Sequence, residues 1–326
     1  MKKTLLSVLF AGALTTAQAQ GIVFSTFMSE YTPIENGTNA IGEAWDDPSF
    51  TVPLGFDITI MGQTTNTAYM NDFFLGGIIG LGEESFLVDA IVGTTADLTD
   101  PEYFNSGTLS APITYATTGT PGNRICKIQW ENAGFYDEVS NGSANNLMNL
   151  QVWIYEVGVI EVHHGPNTIK EPEIALAFGW TAGLIDDIDL MSEDGDFTNA
   201  YIVSGNPESP TFINSNNLED LFLVSLEAIP SNGRVYRFGP DGAINTLEFE
   251  RDELRLWPLT ANEVINLSAG NDGIAFYDVY DLSGKIVAHG NFSGTYTLPV
   301  SHLETGIYLV NLRTENNAHT FKVVKR

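Results

Sequence analysis

The sequence predicts an all-β protein: a β-sandwich or jelly-roll-like body followed by a small immunoglobulin-like β-sandwich. Three observations predict it. Short apolar runs recur along the chain, separated by Gly, Pro, Asn, Asp and Thr, which is the pattern of strands and turns. Helical periodicity is scarce, with one weak instance over 217–228. The last seventy or so residues compress the same alternation into hairpin-sized pieces. No fixed-period repeat is visible, which argues against a propeller or solenoid.

The elements follow in order. Residues 1–19 read as a secretory signal peptide: Lys2 and Lys3, an apolar stretch over 5–14, then Ala17-Gln-Ala19 as a small-x-small cleavage site before Gln20. The competing reading is an N-terminal core helix. The apolar stretch is too short to cross a hydrocarbon layer of roughly 30 Å, and no later stretch reaches that length, so no transmembrane segment is expected. Strands are expected over 22–27, 56–61, 86–92, 125–130, 150–155, 159–162, 174–178, 200–203, 222–226 and 235–238. The glycine-rich 76–82 lacks the βαβ context of a dinucleotide fingerprint and reads as a strand-to-turn segment. No low-complexity linker divides 20–247, which is read as one domain, with 248–326 as a second.

Within the body, 124–165 is the most patterned passage. Leu150, Val152 and Ile154 fall on one face of an expected strand, with Gln151, Trp153 and Tyr155 on the other. Both sets are large, which places the strand centrally with both faces covered. A hairpin about Val157-Gly158 leads to a strand in which His163 and His164 point to opposite faces, so the two cannot share a metal. Glu161 lies on the face of His163, within reach of a hydrogen bond. The single cysteine, Cys126, sits among Ile125, Ile128 and Trp130 and reads as a small buried hydrophobe.

Charge is unevenly spread. The chain carries a formal net charge of −27, and 20–254 holds six basic against 35 acidic residues. Such a surface repels phosphate backbones and anionic membranes and disfavours nucleic-acid binding. It attracts divalent cations. The acidic run containing Asp186, Asp187, Asp189, Asp194 and Asp196 is the candidate Ca²⁺ site, because Ca²⁺ takes oxygen ligands; its spacing does not fit an EF-hand, and a solvated loop is the competing reading. Asp46-Asp47 and 97–100 are further acidic turns. Trp45, Tyr103 and Tyr136 are candidate sugar-stacking aromatics, with burial in the core as the alternative. No His-Glu-x-x-His, Cys-x-x-Cys or Gly-x-Ser-x-Gly pattern occurs.

The C-terminal segment carries Asp281-Leu-Ser-Gly284, then Leu303-Glu-Thr-Gly-Ile-Tyr308, then Lys322-Val-Val-Lys325. In order and spacing these resemble the type A C-terminal sorting domain of the type IX secretion system of Bacteroidota. Leu256-Trp-Pro-Leu stands where that family opens on Tyr-Pro-Asn-Pro, so Pro258 matches while Leu259 does not. The resemblance implies that Pro258, Asp281, Gly284, Leu303, Gly306, Ile307, Tyr308, Lys322 and Lys325 form the sorting motif. It also implies partners: the type IX machinery, sortase-like removal of the tail, and attachment to surface lipopolysaccharide or release. The runs from Arg124 to Trp130, Gln151 to Glu156 and Ile160 to Pro166, with the later 233–240, are similar to secreted Bacteroidota proteins with a nidogen-like β-sandwich. This implies an extracellular sandwich and no particular activity.

The expected function is therefore export to the cell surface or medium of a non-catalytic binding, adhesion or structural domain with a glycan or protein ligand. The alternatives are a secreted hydrolase of polysaccharide or protein and a passive surface-layer component.

Overall fold

Strand geometry follows from the side-chain alternation, and β3 (Phe50–Ile60) shows it most cleanly: Val52, Leu54, Phe56, Ile58 and Ile60 are buried while Thr51, Pro53, Gly55, Asp57 and Thr59 are exposed. The computed structural model describes residues 21–326 apart from 73, 178, 193–195, 218–223, 245–253, 258–259, 262, 270–273, 294 and 315–317. The chain divides into two units, Met1–Ile244 and Asn245–Arg326.

The first unit begins with β1 (Ile22–Met28) and β2 (Thr38–Asn39), before β3. After it come β4 (Gln63–Met70), β5 (Ile78–Leu81), β6 (Leu87–Val92), β7 (Leu98–Thr99), β8 (Ile113–Thr118) and β9 (Ile125–Phe135). The helical turn α1 (Tyr136–Ser140) precedes β10 (Met148–Tyr155) and β11 (Ile160–His164), and α2 (Pro172–Ala175) follows them. β12 (Gly183–Asp189), β13 (Asn199–Ser204), β14 (Thr211–Ser215) and β15 (Arg234–Pro240) come last.

These strands build two sheets. One runs β1-β15-β11-β10-β9-β8-β2, with β7 pairing to β9; the other runs β14-β13-β12-β6-β5-β4-β3. Both line one apolar core, with Leu54, Ile58, Ile91 and Leu184 from the second sheet and Ile128, Trp130, Val152 and Phe238 from the first. Phe24 of β1 stacks on Phe212 of β14 at 5.6 Å, joining the sheets at one side. At the other side Thr117 Oγ1 donates to Leu54 O at 2.8 Å, and Arg124 donates to Gly55 O at 2.7 Å. Those two donors, with Pro53 and the irregular register between Pro53 and Ile58, keep the long edge of β3 from offering a free ladder. Close packing needs glycine at Gly80, where a Cβ would meet the Tyr69 ring at 2.4 Å.

The outer face of the first sheet is organised by cross-strand rows. Lys127, Trp153, Glu161, Arg237 and Ser25 stand opposite one another on β9, β10, β11, β15 and β1. Lys127 Nζ sits 3.5 Å from the Trp153 ring, and Trp153 stacks on His163 at 4.0 Å. The Glu161 carboxylate is fully buried; it accepts from Arg237 Nε at 2.8 Å and Tyr155 Oη at 2.9 Å, and lies 2.7 Å from His163 Nε2. Gln129 and Gln151 occupy the next row and grip the segment after β1: Ile34 N donates to Gln129 Oε1 at 2.8 Å, and Gln151 Nε2 donates to Thr32 O at 2.9 Å. β10 is thus central and covered on both faces, and His163 and His164 lie on opposite faces. His164 packs inward against Trp180 and Tyr236, where burial lowers its pKa to about 3.

Some local expectations are corrected. Pro172 opens a helical turn at α2 where a strand was expected over 174–178, because its fixed φ suits a first helical position. The acidic run at 186–189 lies in β12, not in a loop. Half of the weak helical pattern over 217–228, and residues 222–223 of the strand expected over 222–226, lie outside the described residues; the described part is not helical, and Leu226 bridges Gly205.

The second unit contains β16 (Arg255–Trp257), β17 (Thr260–Ala261), β18 (Val264–Ser268), β19 (Ala275–Tyr280), β20 (Ile286–Phe292), β21 (Thr295–Pro299), β22 (Gly306–Arg313) and β23 (Ala318–Lys325). They form a three-stranded sheet, β16-β18-β21, and a five-stranded sheet, β17-β23-β22-β19-β20. Leu256, Ile265, Leu267 and Leu298 from the smaller sheet share a core with Val279, Val310, Leu312 and Val323 from the larger. This is a small β-sandwich with its own apolar centre.

Glu161→Gln would leave Arg237 buried without its carboxylate. Removing one member of a buried ion pair is expected to destabilise by about 3–5 kcal/mol, read as a lowered urea midpoint at unchanged slope. An unchanged midpoint would show that the pair does not hold the sheet.

Candidate functional site

The first candidate site lies on the second unit, where three motifs distant in sequence meet at one end of the five-stranded sheet. Register brings them together: Tyr280 stands opposite Leu309, Leu309 opposite Lys322, Ile307 opposite Val324, and Gly306 opposite Lys325. Several motif residues are used by the fold. Asp281 Oδ1 accepts from Ser283 N at 2.8 Å, Ser283 Oγ at 2.6 Å and Lys285 N at 3.1 Å. These bonds, led by the Ser283 hydroxyl, hold its carboxyl below the usual range. Gly284 takes φ +82° in the same turn, a conformation that favours glycine. Tyr308 is buried and donates to Glu304 O at 2.9 Å; Leu303 packs on the core; Lys325 is buried along its stem and donates from Nζ to Arg326 O at 2.7 Å. Ile307 is half-buried and Lys322 exposed on the outer face. Pro258, like Ala17 and Ala19 at the expected cleavage site, lies outside the described residues.

The second candidate site lies on the second sheet of the first unit. β12 bulges between Ile185 and Ile188, with Asp187 at φ +50°. The bulge turns Asp186 and Asp187 toward Asp89 of β6, and one carboxylate oxygen from each of the three lies within 4.8 Å of the others. Asp187 N donates to Asp89 Oδ1 at 3.0 Å. Burial, then the charges of Asp89 and Asp187, push the Asp186 carboxyl up to about 6, and burial raises Asp89 too. Asp89 and Asp187 also line a groove of about 650 Å³ with Asp57, Thr65, Thr67 and Glu83.

Of the described members of the expected Ca²⁺ set, the structure brings Asp186 and Asp187 together. Asp189 instead accepts from Met191 N at 2.9 Å, and Asp196 accepts from Ser192 Oγ at 3.0 Å, both within their own turn; Asp194 lies outside the described residues. Asp89 was missed, although a lone acid inside the apolar run of β6 is a readable signal. A second trio, Asp46, Asp47 and Asp97, converges likewise, and burial is the main reason that Asp46 and Asp97 are pushed up to about 6. Asp100 is separate: it is fully buried and accepts from Ser110 N, Ser110 Oγ, Ala111 N and Glu102 N. Trp45 is core, donating from Nε1 to Ala111 O at 2.6 Å, whereas Tyr103 is exposed and Tyr136 half-buried.

Comparisons with known proteins fit the two units. The family described as NIDO related matches residues 22–240, and the secretion system C-terminal sorting domain matches residues 255–326. No curated protein matches the chain. Among solved structures, the BSP domain of a biofilm associated protein is 8% identical, over 92% of this chain and 85% of that one, with a TM-score of 0.19; so low a score carries no argument. No helix among the described residues is long and apolar enough to cross a membrane. The chain belongs to the NIDO-related family and ends in a type IX sorting domain, which directs it to the cell surface or the extracellular space.

Proposed function

We propose that residues 20–247 are a non-catalytic binding module, exported with 1–19 as a signal peptide cleaved after Ala19 and with 248–326 as the sorting segment. On this reading, sortase-like processing removes the tail and attaches the module to surface lipopolysaccharide or releases it. The observation that carries the binding role is the groove on the second sheet, which runs into the carboxylate trio Asp89, Asp186 and Asp187. Its threonine, asparagine and carboxylate lining suits a hydroxyl-rich ligand such as a glycan, and the trio offers hard oxygen donors to Ca²⁺. The buried pair of His163 and Glu161 is engaged by Arg237, Tyr155 and Trp153, which favours a structural role for it over general acid–base work.

The trio makes the pH dependence specific. The Asp186 carboxyl is raised above its ordinary value, so the folded state holds that proton more tightly than the unfolded chain. Its contribution to stability is present below the ordinary carboxylate range and is lost as pH rises through about 6. At neutral pH the three negative charges oppose one another, and a divalent cation would relieve that repulsion.

Thermal unfolding of the full chain at pH 7.5 should give a higher Tm in Ca²⁺ than in EDTA, by mass action on the native state. The gain should shrink at pH 5, where protons compete. In EDTA, Asp186→Asn should raise Tm by about 1–4 °C and flatten the loss of stability between pH 4 and 6; it should also abolish the Ca²⁺ response. Equal Tm values in Ca²⁺ and EDTA would remove the cation from this reading. A panel of soluble polysaccharides tested in the same way checks the glycan: a Tm that none of them moves argues for a passive structural module.

A further inference from the structure

Most sorting-motif side chains are spent on building the fold: Asp281 and Gly284 make the turn, Tyr308 and Lys325 are buried, and Leu303 packs on the core. A signal that is read by another molecule needs accessible side chains. The outer face of the five-stranded sheet supplies them at the end where the motifs meet. Ile286, Tyr280, Leu309 and Lys322 stand in one cross-strand row over β20, β19, β22 and β23. Ile286 is 46% exposed and Leu309 39%, and Leu282 in the adjoining turn is 73% exposed. Ile307 and Val324 extend the row on the same face. The next row, His289, Asp278, Asn311 and Thr320, is polar, and it separates the apolar cluster at the motif end from Phe276, which lies one row further along the same face under Arg313.

We propose that this patch, centred on Ile286 and Leu309 with Lys322 at its rim, is the surface by which the type IX machinery grips the chain. The inference rests on the sorting-domain assignment and adds where on that domain recognition occurs. Its partner is a protein subunit of the machinery presenting an apolar surface bordered by carboxylates. The apolar part matches Ile286, Leu309 and Leu282, and the carboxylates match Lys322. Apolar side chains left exposed in a cluster mark interaction sites, and anchors of this kind dominate binding energy.

The test uses the full chain expressed in a type IX-competent cell, with surface delivery read by protease accessibility on intact cells. The pair Ile286→Glu with Leu309→Glu should lower delivery by about tenfold or more and leave the chain in the periplasm. Ile286→Thr with Leu309→Thr keeps strand preference and guards against misfolding: it should melt like the parent and still be retained. Phe276→Glu, which removes an equally exposed apolar side chain beyond the polar row of the same face, should be delivered normally. Normal delivery of the threonine pair, or equal retention of Phe276→Glu, overturns the proposal. Deletion of 255–326 should retain the chain altogether; delivery without those residues would sink the sorting assignment itself, a different failure.

Discussion

The larger sheet depends on where one buried negative charge is placed. Glu161 stands at the middle of a row crossing five strands, and three polar side chains from three strands converge on it. Shifting β11 by one residue would turn Glu161 into the apolar core and bring Val162 out, so the carboxylate and its arginine fix the register that hydrophobic alternation alone would merely favour. The same row orders the aromatic and amide rows beside it, and these hold the segment after β1 against the sheet.

That arrangement draws on a scarce resource. The body has few basic residues, and each arginine described there has a carboxylate partner: Arg124 with Glu156, Arg234 with Glu208 and Arg237 with Glu161. The carboxylates gathered at Asp89, Asp186 and Asp187, and at Asp46, Asp47 and Asp97, crowd one another; burial first, and the neighbouring negative charges after it, raise the affinity of Asp186, Asp46 and Asp97 for protons. The fold spends its positive charge on register and leaves the acidic clusters open to whatever cation the surroundings supply.

Legibility in the sequence followed the source of each signal. β9, β10, β11 and β15 were readable because apolar side chains recur at strand spacing, and the Glu161–His163 contact was readable because two residues apart means one face. β4 was not, since Gln63-Thr-Thr-Asn-Thr reads as a turn until its partners on β3 and β5 are known. The acidic stretch in β12 has the composition of a loop, whether solvated or cation-binding, and its pairing with β6 and β13 leaves no local trace in the sequence. The sorting motifs were legible as spacing, yet their convergence depends on the pairing of β19, β22 and β23 over long sequence separations. Asp89 joins Asp186 for the same reason: no local pattern links residues held together by sheet order.

Cys126 lies wholly buried in β9, where burial pushes its thiol up to about 11. A thiol so shielded stays protonated and cannot attack a disulfide or be captured by an oxidant. Since it is the chain's single cysteine, no covalent pairing within the chain has to be formed or corrected on the way out. Outside the cytoplasm disulfides form and persist, and this chain offers them no accessible thiol: its folding is complete without a disulfide.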